Sequence, residues 1–424
     1  MKIYELFYKK EFDIKVGLDR IKKALKELGN PEKEFKSILI SGTNGKGSTS
    51  AYIESLLRHY GLNVGLYTSP HLVRENERFQ INRIEISDKE LDKYIENIKP
   101  LIDKYQLSYF ETTTLIAFLY FRDKKVDIAV LEVGLGGRWD ATNVVYPEIS
   151  VITNVSLDHT HILGDTLEKI AFEKLGIARK DRPLIVGRNQ KEIIEQAKSL
   201  GIKDIIYPPR DYSYTYRHEN NLTTIDYEFF RENIAISDIK SKLLGKRQGE
   251  NIATALTSFI TLVKNLNLKI DIELIKEAIS STRWKGRMEI LSEKPLTIID
   301  GSHNEEAISK TLEEIRELFP NRELYIIYSS MKDKNWKKYI NLLLNNSNEL
   351  VFVEMDIDRG LKAEEVKKYF SQLTTFNNFN QAYLYLTNKT EDKNPLILIL
   401  GSLYFIGDIL KNFNVDNSKK PVDN

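Results

Sequence analysis

Cysteine is absent from all 424 residues. That removes disulfides, thiol nucleophiles and cysteine-ligated metal sites together. Charge imbalance is absent as well: 62 Lys and Arg stand against 61 Asp and Glu, a formal charge of +1. So balanced a charge argues against a general nucleic-acid surface or a polybasic membrane anchor. Long apolar runs are missing too. The longest, 395–407, is far shorter than the roughly 20 residues of a spanning helix. The opening stretch, MKIYELFYKKEFDIK, is too charged for a secretory signal. The expectation is a cytoplasmic, monomeric enzyme whose partners are small molecules, with neither nucleic acid nor membrane among them.

What remains is a composition of the soluble globular class, long enough for two to three domains. Its most informative stretch is SGTNGKGST, residues 41–49. An apolar run, Ile38, Leu39 and Ile40, precedes it and reads as a buried strand. Apolar residues at Tyr52, Ile53, Leu56, Leu57 and Tyr60 follow at helical spacing, closed by Gly61. A Gly-rich turn between strand and helix aims backbone N–H groups and the positive helix end at one point, a cradle for phosphate. Thr43, Asn44, Gly45, Lys46, Gly47 and Ser48 form that turn. Lys46 adds a cation, and Ser48 or Thr49 a hydroxyl suited to Mg²⁺. The standard P-loop places Gly six residues before the Lys and Ser or Thr after it; Ile40 and Gly47 occupy those places here. ATP is the expected ligand.

Further strands end in polar groups. Val64, Gly65, Leu66 and Tyr67 read as a strand closed by Thr68-Ser69-Pro70-His71, where open α/β sheets bind ligands. VRENERFQIN, 73–82, reads as an aperiodic active-site loop. An apolar strand from Val126 ends at Glu132 before a Gly-rich loop, and an acidic residue there suits a second Mg²⁺ anchor. The next strand leads to Asp158, His159 and His161, with His159 a candidate metal or phosphate contact. Residues 1–35 read as two short helices, and 88–105, 166–176, 190–200, 249–267 and 271–280 as further helices. Residues 183–187 read as a strand, and polar–aromatic alternation over 211–237 as a small antiparallel sheet.

Periodicity breaks at TRWKGRME, 282–289, which sets the expected domains at 1–284 and 285–424. In the second, strands are expected at 296–300, 323–329, 349–354 and 395–400, with helices at 304–318, 335–345, 362–372 and 402–413. The tail 414–424 is expected to be disordered. The fold class is α/β: a P-loop-type ATPase domain with a mainly parallel sheet, plus a smaller Rossmann-like α/β domain. On residues alone, hydrolysis, phosphoryl transfer and ATP-driven ligation all stay open.

GTNGKGS, TSPHL, ERFQIN, YFE, LEVGLGGRWDATN, SLDHTHILG, FEKLGI, QGENIATA, WKGRME, DGSHN and GSL follow one another from about residue 14 to 407. In this order they resemble folylpolyglutamate synthase/dihydrofolate synthase of the Mur ligase superfamily. The resemblance implies that ATP phosphorylates a folate or dihydropteroate carboxylate and that L-glutamate displaces the phosphate. It implies two Mg²⁺ ions, one on Ser48 and the other on Ser69, Glu132, His159 and a carbamylated Lys174. Lys46, Lys174 and His303 would be catalytic. Asn251, Arg287 and Asp300 correspond to ATP contacts, and His303 with Ser402 to the glutamate site. The pterin end would lie near Val16, Gly17, Ser108, Phe110, Glu111, Trp139, Asp140 and Ala141, with Asp140 bonding its N–H edge and Phe110 stacking on the ring. The chain departs from the usual family pattern at Leu175, Arg247, Lys285, Ser302 and Asn335. The rival readings are a Mur-type ligase on another carboxylate and an ATP-binding regulatory protein without ligase activity.

Overall fold

The computed structural model describes Ile3, Phe7 and residues 16–417, apart from positions 220, 267 and 392. Chain contacts divide into two units, Met1–Lys242 with Lys246–Arg283, and Leu243–Gly245 with Trp284–Asn424. The small piece Leu243–Gly245 sides with the second unit because Leu244 is buried in that unit's core. Among the described residues no helix is long and apolar enough to cross a membrane.

The first unit is built on an eight-stranded sheet, ordered Ile84–Glu85, Phe79–Ile81, Val64–Tyr67, Ile128–Glu132, Lys36–Ser41, Ile149–Ile152, Leu184–Val186 and Ile205–Ile206. The six strands from Val64–Tyr67 to Ile205–Ile206 run parallel. Strands covered on both faces read as continuous apolar runs, and Lys36–Ser41 is buried at all but its first residue. Its register sets Ile40 opposite Glu132 and Ser41 opposite Ile152. The phosphate loop, Glu132 and the chain after Ile152 therefore leave one end of the sheet side by side.

Helices Asp88–Tyr105 and Tyr109–Asp123 contribute Ile95, Ile98, Leu115 and Phe118 to one large apolar core with Leu39, Tyr67 and Leu131 of the sheet. Lys46–His59 packs on Lys246–Asn265 and Ile272–Ser281. That contact delivers Asn251 to the phosphate loop. The expected small sheet is present as Tyr212–Glu219, Leu222–Phe229 and Ile234–Ser241, all antiparallel.

The second unit holds a six-stranded sheet, ordered Glu289–Glu293, Leu296–Asp300, Pro395–Leu400, Glu323–Tyr328, Glu349–Val353 and Thr374–Phe376. Only its first strand is antiparallel to its neighbour. The mixed α/β class expected from the sequence is thus present in both units.

Several expectations need correction. Residues 73–82 are not an irregular loop: a 3-10 turn Glu75–Arg78 leads into strand Phe79–Ile81, which pairs with Val64–Tyr67. A two-residue turn at Asn82 and Arg83, with φ of 51° and 68°, then reverses the chain. Both residues adopt the left-handed conformation such hairpins require, without the usual glycine. The two edge strands of the second sheet and helix Phe379–Lys389 were not expected. Every position of Thr374–Phe376 is partly exposed, so it lacks the alternation that marks a half-buried strand. The last helix runs Leu403–Asn417, so 414–417 are helical and not part of a disordered tail. No Gly or Pro between Asp408 and Asn417 interrupts it. Residues 418–424 lie outside the described residues, as does most of the first helix expected in 1–35.

Candidate active site

Two glycines shape the phosphate loop. Gly42 has φ +147°, and a Cβ on it would overlap Thr153 Oγ1. Gly45 has φ +85°, and a Cβ there would run into Asn251 Oδ1. A side chain at either position is excluded by conformation and by space. The loop is bonded to the chain that follows Ile152. Thr43 N donates to Asn154 O at 2.9 Å, Asn44 N to Asn154 Oδ1 at 3.1 Å and Thr153 Oγ1 to Asn44 O at 2.6 Å. Ser156 N donates to Thr43 Oγ1 at 3.0 Å. Helix Lys46–His59 starts directly after Gly45 with no side-chain cap, and Ser48 is buried in its first turn. An uncapped N-terminus behind a turn that excludes a Cβ at Gly42 and Gly45 suits phosphate oxygens.

Lys46 Nζ donates to the carbonyl oxygens of Gly42 and Thr43 at 3.0 and 3.3 Å. Lys174 Nζ donates to the same Gly42 oxygen at 2.9 Å. Lys174 is 4% exposed, and its pKa is pushed down to about 7 by burial first and by Lys46 second, with Asp158 opposing. The neighbouring Glu173 does not pair with it: Glu173 Oε1 holds Arg138 at 2.6 Å.

Ser69 and Glu132 meet directly, with Ser69 N donating to Glu132 Oε2 at 3.1 Å. The chain after Ser69 is internally bonded. Glu77 takes the backbone N–H groups of Leu72, Val73 and Arg74 at 2.7, 2.9 and 3.0 Å. Arg78 Nε donates to His71 Nδ1 at 2.9 Å, and burial with this guanidinium holds the imidazole neutral, its pKa down at about 3. Buried Glu75 accepts from Ile3 N at 2.9 Å and from Tyr109 Oη at 3.0 Å. His159 starts the short helix Thr160–Leu163 at φ +49°, its Nε2 4.0 Å from Asp158 Oδ1. Among the described residues no three His, Asp or Glu side chains gather to hold a metal by themselves. Ser48, Ser69, Glu132 and His159 instead offer hydroxyls, one carboxylate and one imidazole. Oxygen donors of this kind suit Mg²⁺, which completes its shell with phosphate and water.

The expected folate residues fall into two groups. Asp140 is 6% exposed and its carboxylate is spent on its own loop. It accepts from Gly134 N, Leu135 N and Thr142 N, each at 3.0 Å, and from Thr142 Oγ1 at 2.6 Å. Four donors fill its acceptor sites, so it shapes the Gly-rich loop; the expected direct bond to a pterin edge has no acceptor left. Burial raises its pKa, partly offset by these bonds. Ala141 is buried beside it, while Trp139 is 46% exposed, with Arg138 4.9 Å over its ring. Phe110 lies against Gly134, where a Cβ would strike its ring.

Ser108 and Glu111 form a reciprocal capping box at the start of Tyr109–Asp123. Ser-x-x-Glu was legible in the sequence, but the pair was assigned to a ligand through the resemblance. Arg20, which sequence reasoning missed, ties this group together. It bonds Glu111 at 3.2 Å and reaches the carbonyls of Val16 and Gly17 at 3.4 and 3.5 Å.

In the second unit, buried Asp300 accepts from Met288 N at 2.9 Å and Ser302 N at 3.1 Å. The Ser302 hydroxyl also donates to Asp300 Oδ1 and lies 2.8 Å from Thr311 Oγ1. Arg287 approaches Gly301, where a Cβ would meet its guanidinium. His303 Nδ1 lies 2.9 Å from Gly301 O. A carbonyl only accepts, so Nδ1 carries the hydrogen of that bond. Ser402 is buried and accepts from Tyr404 N at 3.2 Å.

Residues 40–259 match the Mur ligase middle domain, and 286–403 the glutamate ligase domain of Mur ligases. The dihydrofolate synthase/folylpolyglutamate synthase of Bacillus subtilis is 34% identical over 95% of this chain and 96% of its own length. Escherichia coli FolC in complex with ADP superposes with a TM-score of 0.88 at 27% identity, over 98% of each chain. Folylpolyglutamate synthase of Thermotoga maritima gives 0.84 at 29% identity, over 98% of this chain and 97% of its own. Matched by both Mur ligase domains and by relatives over nearly its whole length, this chain belongs to the folylpolyglutamate synthase/dihydrofolate synthase family of Mur ligases.

Proposed function

We propose that this chain is an ATP-dependent carboxylate–amine ligase that adds L-glutamate to a folate or to dihydropteroate, releasing ADP and phosphate. The observation that carries this reading is the Gly42 carbonyl held by both Lys46 and Lys174 in a loop with no room for a Cβ at Gly42 or Gly45. That arrangement sets the Lys46 ammonium and the Lys174 amine, whose pKa burial and Lys46 lower to about 7, at one point of the phosphate loop.

The chemistry divides into two displacements. A substrate carboxylate oxygen attacks the γ-phosphorus of ATP, the bond to the β-phosphate oxygen breaks, and ADP leaves. The glutamate nitrogen then attacks the acyl carbon, and phosphate leaves with the electron pair of the C–O bond. The first step opposes two anions and needs cations between them. Lys46 serves as the fixed cation at the loop. Ser48 would hold one Mg²⁺, and Ser69, Glu132, His159 and carbamylated Lys174 a second. Bound there, these ions supply charge neutralisation between the two anions.

The Lys174 carbamate is supported by the depressed pKa, since only a neutral amine attacks CO₂. Thr43, Asn44, Gly45 and Gly47 line the phosphates, with Asn251, Arg287 and Asp300 as further nucleotide contacts. His303 and Ser402 receive the incoming glutamate, whose ammonium must lose a proton before its nitrogen attacks. Val16, Gly17, Phe110, Trp139 and Ala141 form the pterin side, with Ser108, Glu111 and Asp140 holding its loops.

The test is incorporation of labelled glutamate with ATP and Mg²⁺, using dihydropteroate and tetrahydrofolate in parallel. Product in both tubes is expected. Product with tetrahydrofolate alone would restrict the enzyme to polyglutamylation. Product in neither would remove the folate assignment.

A further inference from the structure

We propose that the side chain of Gln190 sets the shape of the phosphate loop, acting as a positioning residue for nucleotide binding through residues 153–156. The inference rests on the reading of 42–48 as a nucleotide-binding loop.

The parallel ladder between Ile149–Ile152 and Leu184–Val186 ends at the pair Ile152 and Val186. Its last rung is Gly187 N to Ile152 O, at 2.9 Å. Beyond that point the chain has left its neighbour strand, yet Val155 is only 2% exposed. A buried residue with an unpaired N–H and C=O is costly. Gln190 supplies both partners. Its Oε1 accepts from Val155 N at 2.8 Å, and its Nε2 donates to Val155 O at 2.8 Å. The primary amide thus stands in for one residue of a missing strand.

The two residues flanking Val155 both bond the phosphate loop. Asn154 accepts from Thr43 N and Asn44 N and donates through Nδ2 to Asn44 O at 3.0 Å. Ser156 bonds Thr43 Oγ1 through its N at 3.0 Å and its O at 3.2 Å. Fixing Val155 from behind therefore fixes both arms that grip Thr43 and Asn44.

Local structure gives Gln190 no other task. It precedes helix Lys191–Ser199, but its side chain makes no capping bond there. Ser, Asn or Asp would cap that helix better. Only Gln combines the reach with a donor and an acceptor on one group; Glu would accept from Val155 N and repel Val155 O.

The two readings separate in Gln190→Ser and Gln190→Glu. Serine can cap the helix but cannot reach Val155. In the full-length chain, ADP affinity by titration calorimetry should fall about tenfold in both variants. The melting temperature of Gln190→Ser should stay within about 3 °C of wild type, because the new cap offsets part of the lost clamp. ADP affinity unchanged in both variants, with or without a lower melting temperature, would leave Gln190 a purely structural residue and overturn the proposal. A wild-type chain that binds no ADP overturns it together with the loop reading on which it stands.

Discussion

Lys46 and Lys174 donate to one and the same oxygen, the carbonyl of Gly42, at 3.0 and 2.9 Å. Burial first, and the neighbouring Lys46 ammonium second, hold Lys174 at a pKa of about 7. Near neutral pH it is therefore a nucleophilic amine for a substantial part of the time. Lys174→Ala should lose glutamate incorporation by at least about a hundredfold, and added formate or acetate should restore part of it by standing in for the proposed carbamate. Full turnover in the alanine variant would sink the proposed role of Lys174 as a metal ligand. A ¹³C carbamate signal under labelled bicarbonate, absent from the variant, checks the modification itself.

The same residue sets a pH dependence of stability. In the unfolded chain Lys174 titrates near its ordinary 10.5, in the fold at about 7. Between those values the unfolded chain binds the extra proton, so stability rises with pH. Below about pH 7 the lysine is charged in both states and its burial costs the most. The slope is on the order of 1.4 kcal/mol per pH unit at most. In CO₂-free buffer without Mg²⁺, urea midpoints should rise from pH 7 to pH 9 more steeply in wild type than in Lys174→Met. Parallel profiles for the two proteins would contradict the assignment.

Gly45→Ala tests the cradle. Position 45 sits at φ +85°, and the new methyl would meet Asn251 Oδ1. Strain and overlap together should cost about 1–3 kcal/mol of stability. Affinity for a non-hydrolysable ATP analogue should fall by more than tenfold, on the order of the same energy. Unaltered analogue binding, measured by calorimetry on folded protein, would place the nucleotide elsewhere.

Asp140→Asn keeps the shape and removes one acceptor. One of its oxygens faces Gly134 N and Leu135 N, the other Thr142 N and Oγ1. An amide NH₂ must then point at backbone donors, at a cost of about 1–3 kcal/mol. The KM for the pteroate substrate should rise severalfold while ADP affinity holds. Equal losses for both ligands would mean that the loop acts on the whole unit and not on one side of the site.

The sequence disclosed what is local. The strand–turn–helix around Lys46, the strand ending at Glu132 and the sheet over 211–237 each carry their own period or glycine pattern. What it hid is pairing at a distance. Nothing near Thr43 announces Ser156, and nothing near Val155 announces Gln190, yet those bonds hold the loop. Residues 75–81 were misread because their hairpin turns at Asn82 and Arg83 without a glycine. Ser108 and Glu111 had the opposite fate: a local capping signal was present, and the resemblance drew attention past it.

Ser69, Glu132, the turn at Gly42 and the chain after Ile152 emerge from four neighbouring parallel strands. Adjacent strands stand about 4.8 Å apart because backbone hydrogen bonding sets that spacing. The sheet thus works as a ruler, and each polar group hangs from a successive graduation. Exchanging a loop residue alters which atom is presented. It leaves untouched the interval at which the chain presents it, so a family built on this sheet can vary its substrates without re-measuring the gap between its charges.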